Sequence, residues 1–223
     1  MTPSSAARVA VLASGGVDSA VLVAEQSRQG RVVQPIYVRF GLAWEGTEEA
    51  HLRRFLDELP ADSSALPLVV LDLPIADVYG AHWSVSGTDV PDEETPDRAV
   101  YLPGRNLLLL AKSSVWCALN DLQAIALGTL KGNPFSDSGP EFLGLFGSLV
   151  QVGLGHPLSV LTPFACLSKV EVLQRGRDLE LQHTFSCIDP TADLHCGRCN
   201  KCAERRSAFT SSGIHDLTVY ANG

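Results

Sequence analysis

Six residues near the start of the chain, Ser14-Gly15-Gly16-Val17-Asp18-Ser19, and four cysteines near its end are the residue types best able to do chemistry. The hexapeptide follows the apolar run 9–13 and precedes the run 20–25, an order that predicts a buried strand, a glycine turn and a helix. Adjacent glycines lack a Cβ, so backbone N–H groups can close on an anion, and the helix N-terminus adds partial positive charge at the same place. Ser14 and Ser19 bring hydroxyls, and Asp18 could hold Mg²⁺ against phosphate oxygens. The chemistry implied is a phosphate cradle. The plainer reading is a strand-turn-helix corner capped by Ser14 or Asp18, and the Walker A pattern does not occur.

Cys187, Cys196, Cys199 and Cys202 form C-x8-C-x2-C-x2-C. Four thiolates at such spacing can surround one ion, and a full sulfur set leaves no open position, so the expected ion is a structural Zn²⁺. An iron–sulfur cluster competes for the same ligands. Arg198, Lys201, Arg205 and Arg206 are spaced to offset the negative charge, which favours a metal over two disulfides. His195 reads as a residue beside the metal site or on the surface, and the other histidines show no ligand spacing. Cys117 and Cys166 read as small core residues.

Two cations complete the candidate set. Leu102-Pro103-Gly104-Arg105-Asn106 precedes an apolar helical run, so Asn106 is expected to cap that helix and Arg105 to sit near its N-terminus, suited to a bidentate phosphate contact. Ser168 and Glu171 form a capping box, which leaves Lys169 without a structural task and against the helix dipole. An anion elsewhere is its expected partner.

The elements that must position these groups alternate. Strands are expected at 31–38, 66–71, 123–128 and 158–161 after the first, with a helix over 45–59 and another opening at Pro140. This pattern predicts an α/β fold with a doubly wound, parallel five-stranded sheet, its ligands beyond the carboxyl ends of the strands. The polar segment 83–101 breaks the alternation and is expected to be a lid or a solvated excursion. The boundaries implied are a phosphate-binding domain over 1–180 and a small cysteine-bearing, zinc-binding subdomain over 181–223.

Composition narrows the function. A 45% hydrophobic content in 223 residues suffices for a full core, and a mean hydropathy of +0.11 without a long apolar run argues against a membrane span. The first five residues have neither a basic start nor an apolar signal core, so a cytoplasmic location is expected. A net charge of −8 opposes binding to a nucleic-acid backbone and favours a small-molecule substrate.

The hexapeptide resembles the loop of the ATP pyrophosphatases, the PP-loop group with its adenine nucleotide alpha hydrolase-like fold. That resemblance implies adenylation with release of pyrophosphate. Together with Tyr101-Leu102-Pro103-Gly104-Arg105-Asn106, Pro140-Glu141-Phe142, Leu167-Ser168-Lys169-Val170-Glu171 and the tail from Ser186 through Tyr220, it resembles the 7-cyano-7-deazaguanine synthase family over nearly the whole chain. The resemblance implies conversion of 7-carboxy-7-deazaguanine and ammonia to a nitrile in two ATP-dependent adenylations, by way of an amide. It also implies a homodimer. By motif match, Ser14, Gly15, Gly16, Val17, Asp18, Ser19 and Arg105 would bind ATP, with Asp18, Arg105 and Lys169 catalytic. Phe135 and Asp137 would touch the deazapurine. The chain departs from the family at Phe40-Gly41-Leu42-Ala43-Trp44-Glu45, where F-D-Y-G-Q-R-H is usual, and over 131–142, where chiefly Asp137 and the P-E-F end are kept. Those departures keep open an amide ligase acting on a related carboxylate. A nucleotide-sensing module without catalysis and a tRNA-thiolating enzyme are the weaker alternatives.

Overall fold

The apolar runs become five strands of one sheet: β1 (Arg8–Leu12), β2 (Val32–Arg39), β3 (Val69–Asp72), β4 (Ala124–Ala126) and β5 (Ser159–Leu161). All pair parallel, in the order β3-β2-β1-β4-β5. The computed structural model describes residues 7–221; the N-terminal residues read for a signal and the last two of the expected subdomain lie outside that range.

β1 is central, and its alternation shows why. Ala10 and Leu12 face one core while Val9 and Val11 face the other, as a strand buried on both faces requires. Helices α1 (Val17–Arg28) and α2 (Glu45–Asp57) follow the first two strands. The short α3 (Ala76–Tyr79) and α4 (Trp83–Ser86) lead to α5 (Arg105–Leu119), and α6 (Pro140–Leu154) precedes β5. Helices α7 (Lys169–Arg175) and α8 (Asn200–Ser212) close the described chain. Leu110, Cys117, Leu143, Phe146 and Val150 cover one face of the sheet. Val17, Val21, Leu52, Val172, Leu173 and Phe209 cover the other. Winding proceeds outward from β1 through β2 to β3, then restarts on the opposite side at β4. The crevice lies where the winding reverses, at the carboxyl ends of β1 and β4.

Several local expectations shift. The third strand starts at Val69 rather than residue 66, after Pro67, whose carbonyl accepts from the side chain of Gln34 at 2.7 Å. Asn106 is not the cap of α5. Gly104, at φ 72°, precedes the helix, and the carboxylate of Asp137 accepts from the backbone N–H of Asn106 at 3.0 Å. Cys166 is exposed rather than a core residue, whereas Cys117 is buried and its thiol pushed up to about 12 by desolvation. The capping box on α7 forms as read, with Ser168 accepting from Glu171 N–H and Glu171 accepting from Ser168 N–H.

The segment 83–101 is tied down, although residues 86–89 and 92–94 stay exposed to solvent. Asn200 N–H donates to the Pro91 carbonyl at 3.1 Å, Glu93 N–H to the Arg198 carbonyl at 3.0 Å, and the Asn200 amide to the Thr95 carbonyl at 2.6 Å. It is a strap across the cysteine-bearing module. Its backbone groups pair with the module's backbone and with the Asn200 side chain, which a sequence cannot reveal because the partners lie about a hundred residues apart.

Gly128, just past β4, packs on the backbone of the glycine loop. A Cβ there would meet Asp18 C at 3.1 Å, Asp18 Cβ at 3.2 Å and Ser19 N at 3.2 Å. Gly128→Ala must therefore displace backbone rather than a yielding side-chain tip, and should cost about 1–3 kcal/mol. Thermal unfolding should register a fall of roughly 2–10 °C in Tm.

Candidate functional site

The loop between β1 and α1 is braced from within. Ser19 Oγ accepts from Ser14 N–H at 3.1 Å and donates to the Gly16 carbonyl at 3.0 Å, while Gly16 N–H points to Ser14 Oγ at 3.4 Å. Gly15 is left-handed at φ 79°, and an added Cβ would meet Glu48 O at 3.1 Å and Leu52 Cβ at 3.3 Å. Only glycine allows both that backbone and so close an approach of α2. Gly16 starts α1, placing the helix N-terminus at the mouth of the loop.

Two cavities adjoin this loop and share Ser14, Asp18 and Arg105. One, of about 210 Å³, lies between the ends of β1, β2 and β4 and is walled by Ile36, Val38, Leu109 and Leu127. The other, of about 240 Å³, opens toward the C-terminal module and brings Trp44, Glu48 and Trp83 to face Phe185, Lys169 and Glu204. The motif residues separated by 151 positions in sequence thus meet: Lys169 Nζ contacts Asp18 Oδ2 at 2.7 Å and lies 3.8 Å from Glu204. Burial alone would lower the Lys169 pKa, but Asp18 and Glu204 outweigh it and hold the ammonium form above its usual range. The anion Lys169 serves here is a carboxylate of the loop itself.

Asp18 Oδ1 is buried without a hydrogen-bond partner. A carboxylate oxygen so placed, beside a glycine turn at a helix N-terminus, fits a divalent cation such as Mg²⁺. Arg105 opens α5 and lines both cavities; its Nε is buried with no partner, and it forms no ion pair among the described residues.

Glu48 was not singled out by the sequence. It sits on α2 at 7% exposure, and Tyr37 Oη donates to its Oε2 at 2.8 Å. Desolvation raises its pKa from an ordinary 4.5 to about 7, against the lowering pull of Arg105 and the hydrogen bond from Tyr37. An acid whose folded pKa exceeds its unfolded value favours the fold most below the unfolded value, and that advantage is lost as pH rises toward 7. Glu48→Gln should therefore flatten the decline in stability between pH 5 and pH 8 by about 3 kcal/mol. Denaturant melts of both proteins across that range would read it.

Phe135 and Asp137 fall outside the lining of both cavities. Phe135 stacks on Tyr101 with centroids 4.8 Å apart, and Asp137 is committed to the N-terminus of α5.

The four cysteines converge. All their sulfurs lie within 4.8 Å of one another, with Cys187–Cys199 at 3.8 Å and Cys196–Cys202 at 4.0 Å. A disulfide needs about 2.05 Å, whereas ligands about 2.3 Å from a tetrahedral ion stand about 3.8 Å apart. The Cys187 sulfur accepts N–H groups from Asp189 and Cys196, and the Cys196 sulfur from Arg198 and Cys199. Donors aimed at sulfur favour the thiolates that a metal requires. His195 is buried rather than on the surface; it accepts from Ser186 N–H at 3.2 Å, and burial pushes its pKa down to about 3. Among the four cations expected to offset the sulfurs, Arg198 pairs with Asp189, Lys201 with Glu204 and Arg206 with Glu93. Arg205 is buried and donates to Thr184, Thr218 and the Leu181 carbonyl.

The module joins the loop directly. Phe185 N–H donates to the Gly15 carbonyl at 2.7 Å, two residues before the first cysteine of the cluster. No described helix is long and apolar enough to cross a membrane.

The family described as "Queuosine biosynthesis protein QueC" matches residues 8–213. The 7-cyano-7-deazaguanine synthase of Anaeromyxobacter dehalogenans (strain 2CP-C) is 30% identical, over 98% of this chain and 97% of that protein. Those of Syntrophobacter fumaroxidans and Methanocaldococcus jannaschii are 30% and 25% identical, covering 96% and 93% of this chain and 96% of each relative. Among solved structures, a 4-thiouridine synthetase–RNA complex with bound ATP aligns at a TM-score of 0.51 and 15% identity, over 93% of this chain and 50% of that one. This last likeness is one of fold alone. The match over most of its length and the relatives at 30% identity place the chain in the queuosine biosynthesis protein QueC family.

Proposed function

We propose that this protein is an ATP-dependent carbon–nitrogen ligase that converts 7-carboxy-7-deazaguanine and ammonia to 7-cyano-7-deazaguanine. The observation that carries the reading is the pair of cavities meeting at Ser14, Asp18 and Arg105. One suits a nucleotide whose phosphates reach the loop; the other suits an acid whose oxygen would approach the α-phosphorus.

A carboxylate oxygen is a poor leaving group, and transfer of AMP to it makes it a good one. Ammonia then displaces AMP to give the amide, and a second transfer to the amide oxygen permits elimination to the nitrile. Catalysis of this kind rests on alignment and on matching phosphate charge. The loop and the N-terminus of α1 hold the leaving pyrophosphate. Arg105 spans the two cavities and donates to phosphate oxygens as charge moves onto them. Lys169, released from Asp18, follows the same charge. Asp18 would hold Mg²⁺, which supplies charge neutralisation at the phosphates when bound. Zn²⁺ in the four-sulfur site would fix the wall that includes Phe185 and Ser186. A homodimer and a cytoplasmic location belong to the same proposal, on the family resemblance.

One observation favours a second reading, an amide ligase for a related acid. Asp137 and Phe135, which the resemblance would place on the deazapurine, are occupied elsewhere. Incubation with ATP, Mg²⁺, ammonium and 7-carboxy-7-deazaguanine, followed by mass detection, separates the two. The nitrile with two AMP per product is the expected result; an amide end-product, or an inert acid, would refute the first reading.

A further inference from the structure

Three carboxylates line the cavity beside the C-terminal module, and two of them are already matched. Asp18 pairs with Lys169 at 2.7 Å, and Glu204 with Lys201 at 2.6 Å. Glu48 forms no ion pair among the described residues, although it is the most buried of the three. Its neighbours are Trp44 and Trp83, stacked with centroids 5.6 Å apart, and Phe185 across the cavity. A buried carboxylate with no ion pair, walled by aromatic faces, is a site for a small cation.

We propose that Glu48 receives ammonium in this cavity and acts as the general base that frees ammonia for attack. The proposal rests on the adenylation reading above and adds the residue that handles its second substrate. Ammonium prevails over ammonia in neutral water, and it has no lone pair with which to attack carbon. One N–H bond breaks and its proton passes to the Glu48 carboxylate; the freed lone pair forms the C–N bond. The C–O bond to AMP breaks with its electron pair on the phosphate oxygen, and that oxygen takes the second proton shed by nitrogen.

The surroundings suit the task. Tyr37 from β2 donates to Oε2, and Trp44 also hydrogen-bonds the carboxylate at the edge of the cavity. Glu45, on the same helix, is turned away to the backbone N–H groups of Phe40 and Gly41. Arg105 of α5 is the opposing cation, and its field at Glu48 lessens once phosphate oxygens match it. From the far wall Lys169 and Lys201 face in already paired, and Arg205 is held by Thr184 and the Leu181 carbonyl. A carboxyl group that desolvation brings near neutrality can both take up and give back a proton under working conditions.

Hydroxylamine tests the proposal, because it is a neutral nucleophile at the working pH and needs no base to expose its lone pair. With 7-carboxy-7-deazaguanine and ATP, E48Q should lose about 100-fold or more in kcat/KM for ammonium. Its hydroxamate formation with hydroxylamine should stay within about threefold of wild type. Parallel loss with both nucleophiles, or a raised KM for the acid, would show that Glu48 grips the acid instead and would overturn the proposal. So would full ammonium activity in E48Q. Should E48Q fail to fold, Glu48→Asp retains a shortened carboxylate and should show the same selective loss to a smaller degree. Failure of the wild type to form AMP with either nucleophile would instead sink the adenylation reading itself.

Discussion

Arg105→Ala should lower AMP formation by about 10²–10³-fold while leaving the fold intact, the loss seen when one preorganised donor to developing charge is removed. The expectation follows from what Arg105 does not do. Its Nε is buried and unpartnered, it makes no ion pair among the described residues, and it acts on Glu48 through its field. A side chain with no internal partner costs the fold little when cut back. Its position at the first residue of α5, on the wall common to both cavities, is what the reaction loses. Arg105→Lys keeps the charge but not the planar fork, so it should recover only a minor part of the activity. Pyrophosphate release measured beside a thermal melt decides the matter. A variant that keeps its Tm and its turnover would show that the phosphates lie elsewhere.

Removing the metal should have the other large effect, and an uneven one. Four converging thiolates repel one another without an ion, and the binding free energy of such sites is folding free energy. The module they anchor supplies Phe185, Ser186, Lys201 and Glu204 to one cavity. The lining of the other includes no residue beyond Asn133. Stripping the metal with a chelator, or Cys199→Ser, should therefore lower the Tm by more than about 5 °C and abolish use of the acid. Binding of a fluorescent ATP analogue should weaken less. Restoring Zn²⁺ should return both properties to the stripped protein. Equal loss of nucleotide and acid binding, or a stripped protein with unchanged Tm, would refute this division of labour.

The three glutamates at the start of α2 show where a sequence stops being informative. Glu45, Glu48 and Glu49 read alike, as acids in the first turns of a helix. In the fold Glu45 accepts from backbone N–H groups at the end of β2, Glu49 pairs with Arg39 and Arg53, and Glu48 turns into the cavity under Tyr37. Successive residues on a helix point about 100° apart, so each meets a different neighbour, and those neighbours come from elsewhere in the chain. Asp137 is a similar case: its motif suggested ligand contact, yet it caps a helix that begins 32 residues earlier.

What the sequence determined by itself was a set of features governed by contacts a few residues apart. The apolar runs of the strands, the glycine loop with its helix start, the Ser168–Glu171 box and the spacing of the last three cysteines all act over short range, and each stands in the fold as local chemistry requires. Tertiary structure decided the rest: the ion pair of Lys169 with Asp18, the strap of 83–101 across the cysteine module, and the hydrogen bond from Phe185 to Gly15. These join groups from about 100 to 170 positions apart. Their meeting depends on the order in which parallel strands lie in the sheet, which no local pattern of residues encodes.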